Sequence, residues 1–175
     1  MSDEYVFDTE AIVAFLYGEP GHDTVADLLG DVFAGDVDGA LAETNASEVF
    51  YLVSRFEGVD DAPTDASLRA ADRDLRALER RGLGIEPADW RLAAEAKADG
   101  DISLADAYAV ALAAERDATL VVGADDDFDE LAVDVDVRRF REDPVGAELS
   151  GISGWTPTER GPLGSMRYFG VAAGR

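Results

Sequence analysis

Four acidic residues in this chain, Asp8, Glu48, Asp106 and Asp125, occupy positions that surface solvation alone does not explain. Asp8 follows Tyr5-Val6-Phe7, a short apolar run that reads as a buried strand. The C-terminal ends of such strands are where open parallel sheets bind ligands; the plainer role for an Asp there is to cap the helix that follows. Glu48 has Tyr51 and Leu52 one helical turn on, so it borders an apolar face, and its plainer role is to pair with Arg55. Around Asp106, residues Ile102, Ala109, Val110 and Ala113 fall at helical spacing, which directs this acid along a buried face. A buried carboxylate is costly unless paired, hydrogen-bonded or bound to metal. The alternative for Asp106 is a capping box with Ser103, where Glu is the more usual partner. Asp125 opens the run Asp125-Asp126-Asp127 just after Thr119-Leu120-Val121-Val122. One acid of that run is expected to cap a short helix over 128–131.

Each of the four lies at a strand end or at the start of a helix facing that edge. Carboxylates brought together repel unless a cation neutralises them, and an oxygen-only donor set suits Mg²⁺ or Mn²⁺. Such a cluster activates water and stabilises charge during in-line displacement at a phosphodiester. The remaining composition narrows the chemistry. The chain has no cysteine and one histidine, His22, placed in a loop after Pro20, so thiolate chemistry and a paired-histidine mechanism are excluded. There is no phosphate-binding loop of the G-x-x-x-x-G-K type. A phospho-acceptor domain needs a lysine after a late strand, and Lys97, the single lysine, falls within a helix.

The elements that position these acids alternate. Strands are expected at 5–7, 39–42, 83–86, 119–122 and 133–137. Helices are expected after Asp8, through Val25 to Phe33, from about Asn45 to Phe56, through Leu68, Ala71, Leu75 and Leu78 on one face, from Pro87 to near Gly100, and from Ser103 onward. Residues 58–63 form a loop. Strands alternating with helices imply an α/β fold with a central, mostly parallel sheet. The pattern holds over residues 1–143 as one domain; residues 144–175, rich in Gly and Pro with Trp155, Tyr168 and Phe169 scattered through them, read as a flexible tail. A basic stripe, Arg69, Arg73, Arg76 and Arg80, reads as a solvated face with pairs Asp65–Arg69 and Asp72–Arg76. Arg55 is the better candidate for a substrate contact.

Four blocks, in order, resemble the signatures of PIN-domain nucleases, most closely VapC-type toxins of toxin–antitoxin pairs: Val6-Phe7-Asp8-Thr9; Asn45-Ala46-Ser47-Glu48-Val49-Phe50-Tyr51; Ser103-Leu104-Ala105-Asp106-Ala107; and Val122-Gly123-Ala124-Asp125-Asp126-Asp127-Phe128. The likeness covers about residues 5–141. It implies a PIN-like three-layer α/β/α fold, Mg²⁺ or Mn²⁺ dependence and endonucleolytic cleavage of RNA. It further implies that Asp8, Glu48, Asp106 and Asp125 form the catalytic and metal-binding site, with Asp127 a further ligand and Ser103, Asn45 and Thr9 orienting it. A homodimer and a cognate antitoxin follow from the same resemblance. Three features depart from the family pattern. Glu10 stands where a small polar residue is usual, Ala124 replaces a glycine, and the tail is extra. A catalytically silent RNA- or protein-binding module, and an RNA-processing nuclease without antitoxin, are the competing functions.

Charge is the strongest compositional feature: 38 Asp and Glu against 15 Lys and Arg, a formal charge of −23. Alone, that argues against a nucleic-acid partner. In molar salt the Debye length falls to about 3 Å and surface repulsion is screened. An acid-rich, lysine-poor surface is therefore expected of a protein from a salt-accumulating halophile. The absence of a long apolar run excludes a membrane-spanning helix, and the acidic start, Met1-Ser2-Asp3-Glu4, does not resemble a signal peptide, so a cytoplasmic location is expected. Lowering KCl from molar to about 0.1 M should cost the fold most of its stability, read as a fall in melting temperature; a melting temperature indifferent to KCl would refute the halophilic reading.

Overall fold

Successive residues of a strand face opposite sides of the sheet, and the central strands here are apolar on both sides. Val6 and Phe7, Ala40 and Leu41, and Leu120 and Val121 are all fully buried, as parallel strands covered by helices on both faces must be. The structure, a computed structural model, describes residues 4–124, 126–129, 131 and 133–142. The elements run β1 (Glu4–Phe7), α1 (Thr9–Tyr17), α2 (His22–Ala34), β2 (Asp38–Ala42), α3 (Glu43–Phe56), α4 (Asp65–Arg80), β3 (Gly84–Glu86), α5 (Trp90–Asp99), α6 (Leu104–Arg116), β4 (Thr119–Val122) and β5 (Val137–Arg139), with a 3-10 turn at Asp126–Phe128. The strands form one sheet in the order β3-β2-β1-β4-β5, every pairing parallel.

Two cores flank the sheet. Phe7, Leu41 and Val121 pack with α1, α2, α3 and α4; Val6, Ala40, Leu120 and Val122 pack with α5 and α6. This is the three-layer α/β/α arrangement expected from the sequence. The chain steps from β1 to β2 to β3 over the first face, then crosses back over the second face to β4. With right-handed crossovers, a reversal of direction must change faces. The sheet's order therefore reverses between β1 and β4, and the crevice beyond the C-terminal ends of those strands is the natural ligand site. Asp8 is the first residue past β1 there.

Several boundaries differ from the sequence reading. α5 begins at Trp90 rather than Pro87, because Asp89 caps it by accepting from the Arg91 N–H at 2.7 Å. β5 is Val137–Arg139, not 133–137: Val133 and Val135 pack against the second core before the ladder with β4 begins. The helix expected at 128–131 is instead a shorter 3-10 turn that begins two residues earlier, at Asp126–Phe128. His22 is the first residue of α2, not part of a loop. Leu68 is 38% exposed; the buried side of α4 is Ser67, Ala71, Leu75 and Leu78, and Ser67 closes a capping box with Thr64. Asp125 and the expected tail, 144–175, lie outside the described residues.

Beyond β5 the chain docks on the turn between α1 and α2. The Phe140 N–H donates to the Val122 carbonyl at 3.0 Å, and Phe140 and Arg141 are both buried. Gly21 permits this approach: its φ is +85°, and a Cβ there would meet Phe140 Cδ2 and the Phe140 carbonyl, each at 2.8 Å. Gly21→Ala should therefore lower the unfolding free energy by about 1–3 kcal/mol, measured by denaturant titration; an unchanged midpoint would show that the docking does not need a glycine.

Candidate functional site

The strand-to-helix junction at Asp8 sets the geometry. Asp8 is 3% exposed, its N–H donates to the Val121 carbonyl at 3.1 Å, and its Oδ1 accepts from the Ala11 N–H at 2.8 Å as the N-cap of α1. On the neighbouring strand, α3 starts directly at the end of β2, which carries Glu48 to the same edge. Thr9 donates its hydroxyl to Glu48 Oε2 at 2.6 Å, and the fully buried Asn45 donates Nδ2–H to the Thr9 Oγ1 at 3.1 Å. α6 leads into the start of β4, so its own N-terminus lies at the sheet's opposite, C-terminal edge. There Ser103 and Asp106 close a capping box: the Asp106 N–H donates to Ser103 Oγ at 3.1 Å and the Ser103 N–H to Asp106 Oδ2 at 3.0 Å.

These three acids share one electrostatic environment. The Asp8 carboxyl is pushed up to about 8 from its ordinary 3.8. Burial is the main cause; the Ala11 hydrogen bond opposes it, the negative charges of Asp106 and Glu48 add to it, and the Arg141 guanidinium works against it. Each carboxylate also has one oxygen fixed and one open. Oδ1 of Asp8, Oε2 of Glu48 and Oδ2 of Asp106 hold positioning hydrogen bonds. The second oxygen of each makes no hydrogen bond among the described residues. The buried Asn45 Oδ1 beside them likewise lacks a partner there.

Capping, the plainer alternative for Asp8 and Asp106 in the sequence, does occur, and the charges of Asp106 and Glu48 also act on the Asp8 carboxyl; Asp106 itself is half-buried rather than buried. Glu48 does not pair with Arg55; it is held by Thr9, and Arg55 donates Nε–H to the Asp61 carbonyl at 3.2 Å, anchoring the loop after α3. Asp126 and Asp127 are exposed on the 3-10 turn. On α4, Arg76 pairs with Asp72 at 2.9 Å and Arg73 with Asp74 at 3.0 Å, on a solvated face.

Sequence reading missed the basic side of the site. Arg141 is buried, makes direct ion-pair contact with Glu10, stands 3.8 Å from Glu19 and donates to the Pro20 carbonyl at 3.4 Å. Glu10, read as a charge added near the site or facing away, is in fact partnered. Arg139, two residues earlier, donates to the Gly123 carbonyl at 3.2 Å and to Asp129 at 2.6 Å, tying the loop after β4 to β5. The recurrence of Arg139 and Arg141 at strand period was the available signal.

A family model described as PIN domain matches residues 5–134. The chain belongs to the PIN-domain family. PIN domains are generally nucleases. Among solved structures, the PIN domain here is similar to VapBC2 from Rickettsia felis, crystallised bound to a DNA fragment from its promoter, at 17% identity and a TM-score of 0.58, covering 78% of this chain and 98% of that one. It is also similar to FitAcB from Neisseria gonorrhoeae, at 20% identity and a TM-score of 0.53, covering 78% and 97%. No curated protein matches the sequence.

The donor chemistry of this PIN domain fits a hard divalent cation: open carboxylate oxygens, a desolvated acid pressed by like charges, and an unpartnered amide oxygen. Among the described residues, no three acidic or histidine side chains stand close enough to hold an ion by themselves, and Asp125 lies outside those residues. Without metal, Asp8 destabilises the fold as pH rises: the unfolded chain loses this proton near 3.8 while the native state keeps it to about 8, so stability falls across that window and levels off above it. Asn caps a helix as well as Asp. In EDTA at pH 8, Asp8→Asn should be more stable than wild type by about 1 kcal/mol or more, the gap closing as pH approaches 4; a wild type equal or superior at pH 8 would contradict the assigned burial.

Proposed function

We propose that this chain is a metal-dependent endoribonuclease that hydrolyses RNA phosphodiesters, and that it acts as the VapC-type toxin of a toxin–antitoxin pair. The observation that carries the reading is the set of open oxygens on Asp8, Glu48 and Asp106, three carboxylates held at one sheet edge by their other oxygens. Membership of the PIN family supports nuclease chemistry, and the fold shared with VapBC2 and FitAcB supports the toxin assignment. The same likeness supports a homodimer and an antitoxin partner.

Asp8, Glu48, Asp106 and Asp125 would hold Mg²⁺ or Mn²⁺, with Asp127 a further donor. A bound ion would supply charge neutralisation for these acids and Lewis-acid activation of the phosphate and water. The chain's own residues prepare that binding. Asp8, whose carboxyl pKa is raised to about 8 by burial, would have to release its proton to serve as a ligand. Thr9 fixes Glu48, Asn45 fixes the Thr9 hydroxyl, and Ser103 fixes Asp106, so each donor arrives oriented at little entropic cost. The surface charge of −23 is no barrier to RNA if the protein works in molar salt.

Purified protein in molar KCl should cleave single-stranded RNA with Mg²⁺ or Mn²⁺ and not with EDTA, and Asp106→Asn should lower the rate by at least about a hundredfold. Folded protein free of inhibitor that cleaves no RNA would point to a silent PIN-like binding module. Cleavage unaffected by Asp106→Asn would remove this acid from the site.

A further inference from the structure

Glu10 brings a further negative charge next to a site that already concentrates acids. Its carboxylate lies against Gly123, where a Cβ would overlap it, so the first residue of the fourth block's loop is shaped to admit it. The charge is met by Arg141, one of few buried charged side chains among the described residues. The guanidinium touches Glu10 directly, stands 3.8 Å from Glu19 and acts electrostatically on Asp8. Its Nε has no hydrogen-bond partner among the described residues, so the group is held by charge more than by a complete set of hydrogen bonds. The backbone accommodates it from the other side as well: Gly21 leaves room for Phe140 and for the Arg141 Cβ, which a Cβ on Gly21 would meet at 3.1 Å.

We propose that Glu10 and Arg141 are a charge-balanced pair of positioning residues that sets the affinity of the acid site for its divalent cation. The proposal rests on the metal-dependent reading above. Two opposed charges lie beside the site, and each alone would change its field. With Glu10 neutral, the buried guanidinium acts on Asp8 without its direct counter-ion and competes with an incoming cation. With Arg141 neutral, Glu10 and Glu19 are left without it, and the site attracts a cation more strongly. The pair together leaves the field close to that of the acids alone. A tie that only fastened the chain after β5 to the α1–α2 turn would not distinguish the two partners in this way, because losing either would loosen the same contact.

Mn²⁺ affinity measured by calorimetry in molar KCl separates these cases, with thermal melts confirming that each variant is folded. Asp106→Asn, which should abolish or sharply weaken binding, establishes that the acid site is the one being titrated. Glu10→Gln should weaken Mn²⁺ binding about tenfold and Arg141→Gln strengthen it by a similar factor. The double variant should return to within about threefold of wild type, and Arg141→Lys, which keeps the charge, should stay near wild type. If Arg141→Gln alone does not fold, the loss in Glu10→Gln and its recovery in the double variant carry the same comparison. Shifts of the same sign in both single variants, or no recovery in the double, would overturn the charge-balance role while leaving the metal site standing. No Mn²⁺ binding by the wild type would overturn the metal-dependent reading and this proposal with it.

Discussion

A carboxyl group with 3% of its surface exposed, facing two further acids, is stable only if it stays protonated or meets a cation. Asp8 is in that position because the sheet puts it there. It follows a strand buried on both faces, at the C-terminal edge where the strand order reverses between β1 and β4. Its desolvation, the raised pKa and the convergence of Glu48 and Asp106 are therefore consequences of one topological fact. The fold gathers like charges at the sheet edge where parallel sheets generally bind ligands.

The second face of the sheet carries the helix that brings Asp106 to this edge. α6 presents Ala105, Ala107, Ala109, Ala111 and Ala113, all buried. Val110 and Leu112 are buried on the same helix, so α6 is apolar around most of its circumference, as a helix enclosed between the sheet and its neighbours must be, and its N-terminal turn reaches the sheet edge from within that packing. On the first face Phe7, Leu28, Leu29, Leu41 and Val49 fill the other core, and Glu48 reaches the edge because α3 begins directly at the end of β2. Packing on the two faces thus brings the first turns of different helices to one crevice.

Much of this was legible in the sequence. Apolar runs too short for a helix and apolar on both faces identified β1, β2 and β4, and acids at their ends or on the following helix turns identified the edge. What was not legible depended on contacts between distant segments. Glu10 taken alone reads as a charge added near the site or facing away, and nothing local marks Arg141 as its partner; the docking of Phe140 beside Gly21 is what brings Arg141 to Glu10. Leu68 was misplaced for a related reason. Helical periodicity counted it with Leu75, whereas the Thr64–Ser67 capping box fixes the first turn of α4 and buries Ser67 instead. Local hydrogen bonding overrode the apolar stripe at that end.

The cap interactions also explain why two readings of the same acids were compatible. A carboxylate has two oxygens, and capping uses one. In Asp8 the Ala11 N–H takes Oδ1, and in Asp106 the Ser103 N–H takes Oδ2. The capped oxygen fixes the side-chain torsions, which removes rotamer freedom that a ligand would otherwise have to freeze. The other oxygen remains free of protein donors among the described residues. An amide in place of either acid would preserve the cap, since its carbonyl oxygen can accept the same hydrogen bond, and would present a neutral NH₂ where the open oxygen had been. The arrangement separates what a helix N-terminus requires of these residues, a single acceptor, from what the cluster requires, a second oxygen carrying negative charge. That separation is why the isosteric amides can test the site without dismantling the helices that build it.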